Sequence, residues 1–205
     1  MTRRSPTAIV VALCAVAAIA GCASDEESST VDRWFGVTRD IVARVDPPSA
    51  EMTIDPTSAC RLVDGIVVDE RPLTPVGAGV AGFADVGERY QCAFSGIDPE
   101  ADEDDPDRWS INVRLEVAVV DRQPDFAELA DRIPVRERNL VVSSEVGPIQ
   151  VASFTPDGTE RSVTTAVLVV PARRGVVNLI VEELDGPSPE WTDEEIAEVL
   201  AALAT

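Results

Sequence analysis

The stretch "RWSINVRLEVAVV", residues 108–120, decides the fold. Ile111, Val113, Leu115, Val117 and Val119 alternate with polar or small residues. In an extended chain successive side chains point to opposite faces, so this period of two reads as a strand with one buried face. Upstream, "RYQCAF" (89–94) reads as a second strand. The two form a hairpin whose tip is the acidic stretch "GIDPEADEDDPD". Downstream lie three more strand candidates: "PIQVASF" (148–154), "SVTTAVLVV" (162–170) and "GVVNLIVEEL" (175–184). "PARRG" joins the last two as a hairpin turn, and Arg173 and Arg174 at its tip read as solvated charge.

Helical signals surround these strands. Residues 32–45 place Trp34, Val37, Ile41 and Val45 at helical spacing. In "IDPTSACRLVDGI", Asp55 suits an N-cap and Pro56 a first helical turn. A helix is predicted over 56–64, with Cys60, Val63 and Leu62 inward and Gly65 ending it. "PDFAELADRI" (124–133) puts Phe126, Leu129 and Ile133 on one face of a short helix. In "TDEEIAEVLAAL", Thr192 and Glu195 have capping-box spacing, and Ile196, Val199, Leu200 and Leu203 form a stripe that packs on the sheet. The Gly- and Pro-rich residues 71–88 read as an irregular loop. The expected fold is α+β, a single domain with a twisted antiparallel sheet of about five strands and helices on one or both faces.

The first thirty residues give the location. Arg3 and Arg4 precede an uncharged apolar run, Ala8–Ala20. A membrane span needs about 20 apolar residues, so this run fits the core of a secretory signal instead. Arg3-Arg4 also leaves twin-arginine export open beside the general route. The run closes on Ile19-Ala20-Gly21-Cys22, which resembles the lipobox of bacterial lipoproteins. The resemblance implies cleavage between Gly21 and Cys22, and a diacylglyceryl thioether on the Cys22 sulfur. Residues 1–21 are then a signal, 22–31 an acidic, Ser-rich tether, and 32–205 the globular domain, held by its lipid on the outer side of the cell membrane. Acyl chains enter the bilayer at roughly 0.8 kcal/mol per buried CH₂, so several together anchor firmly.

Charge and composition exclude much. The mature chain carries 37 acids against 15 arginines, a formal charge of −22. Such a chain repels nucleic acid phosphates, so no nucleic-acid partner is expected. The sequence contains no lysine and no histidine. That removes Ser–His and Cys–His couples, Schiff-base lysines, phosphate-loop lysines and histidine metal ligands. No catalytic residue, cofactor or metal is assigned. "GAGVAG" (77–82) is a literal G-x-G-x-x-G, but Pro72 and Pro75 interrupt the strand that a dinucleotide site needs before it. The acidic tip has seven acids, yet an EF-hand register from Asp98 puts Glu103 where glycine belongs and Trp109 where glutamate belongs. A solvated loop with weak cation attraction is expected. Cys60 and Cys92 remain after Cys14 leaves with the signal and Cys22 takes the lipid. An even pair in an oxidising compartment predicts a disulfide, which would contribute about 3–4 kcal/mol in the chain-entropy model.

The lipobox, the "DPTSAC" segment, a second cysteine on the first strand, and the closing hairpin plus helix together resemble a family of small actinobacterial envelope lipoproteins of unknown function. These are similar to the extracellular sensor-type domain of mycobacterial membrane kinases. The resemblance covers about residues 50–204. It implies a sheet flanked by helices and ligand sensing, and transfers no catalytic residue. The expected function is a non-enzymatic binding, sensor-like or interaction module for a small-molecule, lipid or protein ligand. The alternative is a carrier of an apolar or lipid ligand held between sheet and helices.

Overall fold

The computed structural model describes residues 29–45, 54–68, 71–83, 87–97, 110–120, 138–155, 162–185 and 192–205. The predicted signal, most of the tether, the acidic tip and the predicted helix at 124–133 lie outside the described residues. Helix α1 spans Thr30–Val42. Two short strands, β1 (Val67–Val68) and β2 (Arg71–Pro72), form a small ribbon. The main sheet comprises β3 (Thr74–Phe83), β4 (Gly87–Ile97), β5 (Ser110–Val120), β6 (Arg138–Ser144), β7 (Gly147–Phe154), β8 (Val163–Val170) and β9 (Gly175–Asp185). Helix α2 (Asp193–Ala204) closes the chain.

The sheet order is β3-β4-β5-β9-β8-β7-β6, and every neighbouring pair is antiparallel. Strands β3 to β5 form one meander and β6 to β9 another, joined through β5 and β9 at the centre. The central strands are the apolar ones, because a strand buried on both faces needs apolar residues at nearly every position. β8 is buried from Val163 to Val169.

Both described helices pack on one face. α1 lies over β4 and β5, and α2 over β6, β7, β8 and β9. Between them and the sheet are Trp34, Phe35, Phe94, Leu115, Leu179, Ile196 and Leu200, all essentially without solvent contact. Burial of one such side chain contributes about 1.5–3 kcal/mol. α1 begins where the Ser29 side chain accepts a hydrogen bond from the Asp32 N–H at 3.2 Å. α2 has the full capping box: the Glu195 N–H donates to Thr192 Oγ1, and the Thr192 N–H donates to the Glu195 carboxylate.

Three sequence expectations change here. The sheet has seven strands rather than about five. β6 carries only a faint apolar signal, since only Leu140 and Val142 of "RNLVVSS" pack against the core while Val141 is exposed. Residues 74–83 are not a loop but an edge strand. Proline and glycine are tolerated there because one side of the ladder needs no donors, and the register shifts between Pro75 and Gly77. α1 ends at Val42, so Val45 lies beyond it and is exposed rather than inward.

Candidate functional site

The predicted helix at 56–64 does not form. A helix over these residues would use the Ala59 carbonyl internally, while Leu62 would fall among its last four carbonyls, which have no helical partner. Here Ala59 O accepts from the Tyr90 hydroxyl at 3.4 Å, and Leu62 O from Trp34 Nε1 at 2.7 Å. Asp55 caps a turn instead: its carboxylate accepts from the Thr57 N–H and hydroxyl and from the Ser58 hydroxyl. Those bonds, the Thr57 hydroxyl foremost, hold the Asp55 carboxyl below its ordinary value. Asp55 also pairs with Ala78 through an isolated bridge, covering part of edge strand β3. The approach is close enough that a Cβ on Gly77 would sit 2.7 Å from Asp55 O. Gly77, the first glycine of the G-x-G-x-x-G match, therefore serves backbone contact within this chain.

Cys60 and Cys92 form a disulfide, with Cα atoms 5.3 Å apart. The bond ties this irregular segment, rather than a helix, to β4. Tyr90, two residues before Cys92, has its hydroxyl pKa raised, burial being the main cause.

The β8–β9 turn is also not free charge. Arg173 Nε meets Asp32 Oδ1 at 2.5 Å, and Arg39 of α1 donates to the Arg173 carbonyl at 2.6 Å. The Asp32 carboxyl is held below its ordinary value, first by its hydrogen bond with Arg173. Arg39 also lies 5.8 Å over the Phe35 ring, within cation–π range. The two arginines thus clamp the turn to α1.

The opposite face of the sheet carries an arrangement that the sequence did not announce. Register places Gln91 of β4, Glu116 of β5 and Asn178 of β9 side by side in one row across three adjacent strands. They belong to the face away from α1 and α2, because their strand neighbours Tyr90, Cys92, Leu115, Val117, Val177 and Leu179 fill the helix-side core. The three residues are 0%, 1% and 9% exposed. Glu116 Oε2 pairs with Arg89 Nη1 at 3.1 Å. Among the described residues, Glu116 Oε1, both amide atoms of Gln91 and Asn178 Oδ1 have no hydrogen-bond partner. Buried polar groups are nearly always paired, and each orphan costs about 1–3 kcal/mol. One side of the row is apolar: Ala118, Val167, Val169 and Val176 cluster there.

Among the described residues, no group of three or more His, Cys, Asp or Glu side chains could hold a metal ion. No described helix is long and apolar enough to cross a membrane. Cys22 and Gly21, the predicted lipidation and cleavage residues, lie outside the described residues. No family model, curated protein or solved structure matches the chain.

Proposed function

We propose that this chain is a lipid-anchored, extracytoplasmic, non-enzymatic binding module, and that it binds through the sheet face opposite its helices. The row Gln91–Glu116–Asn178 carries this reading. A fold that keeps several buried polar atoms without partners sacrifices stability there. Natural proteins accept such local penalties chiefly at functional sites. The Cys60–Cys92 disulfide suits an oxidising compartment, and Gly21-Cys22 suits attachment to the membrane. The row holds one carboxylate already paired with arginine, which favours recognition over acid–base chemistry. The carrier alternative is less favoured, since Trp34, Phe35, Phe94 and Leu200 occupy the region between helices and sheet.

The test replaces orphaned groups by apolar ones of similar shape. Gln91→Leu and Asn178→Val should each raise the thermal midpoint, by roughly 2–8 °C for about 1–2 kcal/mol. A purely structural polar network would respond in the opposite sense. If both variants melt below wild type, the row supports the fold and the binding reading fails.

A further inference from the structure

The main sheet ends in two edge strands, β3 and β6. An edge presents unpaired N–H and C=O groups, which another strand can complete unless the edge is blocked. β3 is blocked. It carries Pro75, its register shifts between Pro75 and Gly77, and Asp55 exchanges backbone hydrogen bonds with Ala78 on its outer side. β6 has none of these devices. Its sequence "RNLVVSS" holds no proline, no shift interrupts its register with β7, and no described strand lies beyond it. Val141, at its middle, is 57% exposed, so that position is open to solvent.

Register shows which backbone groups face outward. Ser143 pairs with Pro148, and proline has no N–H, so this pair cannot exchange both ladder bonds. Alternation then assigns the bonded pairs to Val142–Ile149 and Leu140–Val151. The N–H and C=O groups of Asn139, Val141 and Ser143 point away from β7. A second β6, antiparallel and related by a two-fold axis at Val141, completes all three residues. Asn139 meets Ser143 of the second copy, and Val141 meets its own counterpart.

Each face stays continuous in that pairing. Leu140 and Val142 extend the helix-side core, while the two exposed Val141 side chains cover one another on the opposite face. In sequence, β6 follows the net positive flank Arg136-Glu137-Arg138 and precedes Glu145. Antiparallel pairing sets these opposite charges together at both ends, which favours the strand's own copy over an arbitrary extended peptide.

We propose that β6 is a self-association edge, where a second copy of this chain adds antiparallel and one sheet runs through both molecules. The proposal goes beyond the row Gln91–Glu116–Asn178 and does not depend on it. A seven-residue edge is small beside the about 1,000 Å² of a stable interface, so the dimer is weak, with a Kd of roughly 0.01–1 mM. The formal charge of −20 opposes association, but charges more than about 8–10 Å apart are largely screened at ordinary ionic strength.

The experiment follows the full chain in a non-ionic detergent at ordinary salt by sedimentation, over concentrations that span this Kd. A monomer–dimer equilibrium is expected. Val141→Lys should raise Kd by at least about tenfold and leave the melting of dilute protein unchanged. Val141→Thr keeps the β-branched shape and should stay near wild type. Val141→Cys should give a disulfide-linked dimer under a mild thiol oxidant, because the paired Cα atoms would lie about 5.5 Å apart. Ser143→Cys should not, because it faces position 139 of the second copy, and the two introduced cysteines would stand about 13 Å apart. A monomer at every concentration overturns the proposal. So does a dimer that Val141→Lys leaves unchanged, or equal crosslinking of the two cysteine variants. Saturable capture of an unrelated extended peptide by a chain that stays monomeric overturns it too, by giving the edge to another partner. Gln91→Leu should leave Kd unchanged, so this proposal and the binding reading of the row fail separately.

Discussion

Asp32 and Asp55 are small anchors with a defined pH signature. Arg173 holds one and the Thr57–Ser58 turn holds the other, so both carboxyls titrate below 3.8 in the fold. A folded-state pKa below the unfolded one means that the fold favours the ionised form. The resulting stability is complete above the unfolded value near pH 4 and disappears as pH falls through the folded values. Asp32→Asn should therefore lower the urea midpoint at pH 7, and the gap to wild type should narrow as pH falls below the ordinary carboxylate range. Using the gap between two nearly isosteric chains removes the acid response of the other carboxylates. A gap that stays constant from pH 7 to pH 2.5 would refute the role of the Arg173 pair. The residue scale is also where the sequence concealed most. Arg114 and Glu116 within "INVRLEVAVV" look like the solvated side of a half-buried strand. Gln91 and Asn178 occupy equally ordinary polar positions. Alternation assigns a face but not its cover, and only register reveals that the three stand in one row.

At the scale of elements, long periodic segments were legible and irregular ones were not. The centres of β4, β5, β7, β8 and β9 follow from apolar runs, and α2 from its capping box and stripe. The segment 54–66 misled because its cap signals are real: Asp55 and Pro56 do turn the chain. The residues after Pro56 carry too short an apolar period to hold a helix against a disulfide and two tertiary hydrogen bonds. That explanation makes the segment depend on its staple. Replacing Cys60 and Cys92 together by serine should lower stability by roughly 2–5 kcal/mol. Limited proteolysis should then cut first within 54–66, because the segment has no helical hydrogen bonds of its own to hold it once the staple is gone. Equal protease resistance in wild type and the double variant would show that Trp34 and Tyr90 alone suffice to hold it. In the wild-type chain, thiol titration after denaturation without reduction should find neither Cys60 nor Cys92 free.

For the whole molecule, charge and the proposed anchor oppose each other. With the proposed signal removed, the chain at −22 would be repelled by an anionic membrane surface, within about 8–10 Å at ordinary ionic strength. None of the described helices offers a membrane span to offset that repulsion. In the proposed reading, attachment rests on Cys22, where acyl chains would contribute roughly 0.8 kcal/mol for each buried CH₂. That term is insensitive to salt, whereas the repulsion weakens as salt rises. Wild-type protein should accordingly stay with the detergent phase on phase separation at both low and high salt. Cys22→Ser removes the only proposed acylation point and leaves the globular domain untouched, so it should move the protein to the aqueous phase. Its thermal midpoint should equal that of wild type, which separates loss of the anchor from loss of the fold. A Cys22→Ser chain that still partitions into detergent would mean that another part of the molecule binds the membrane, and Gly21-Cys22 would lose its meaning as a processing site.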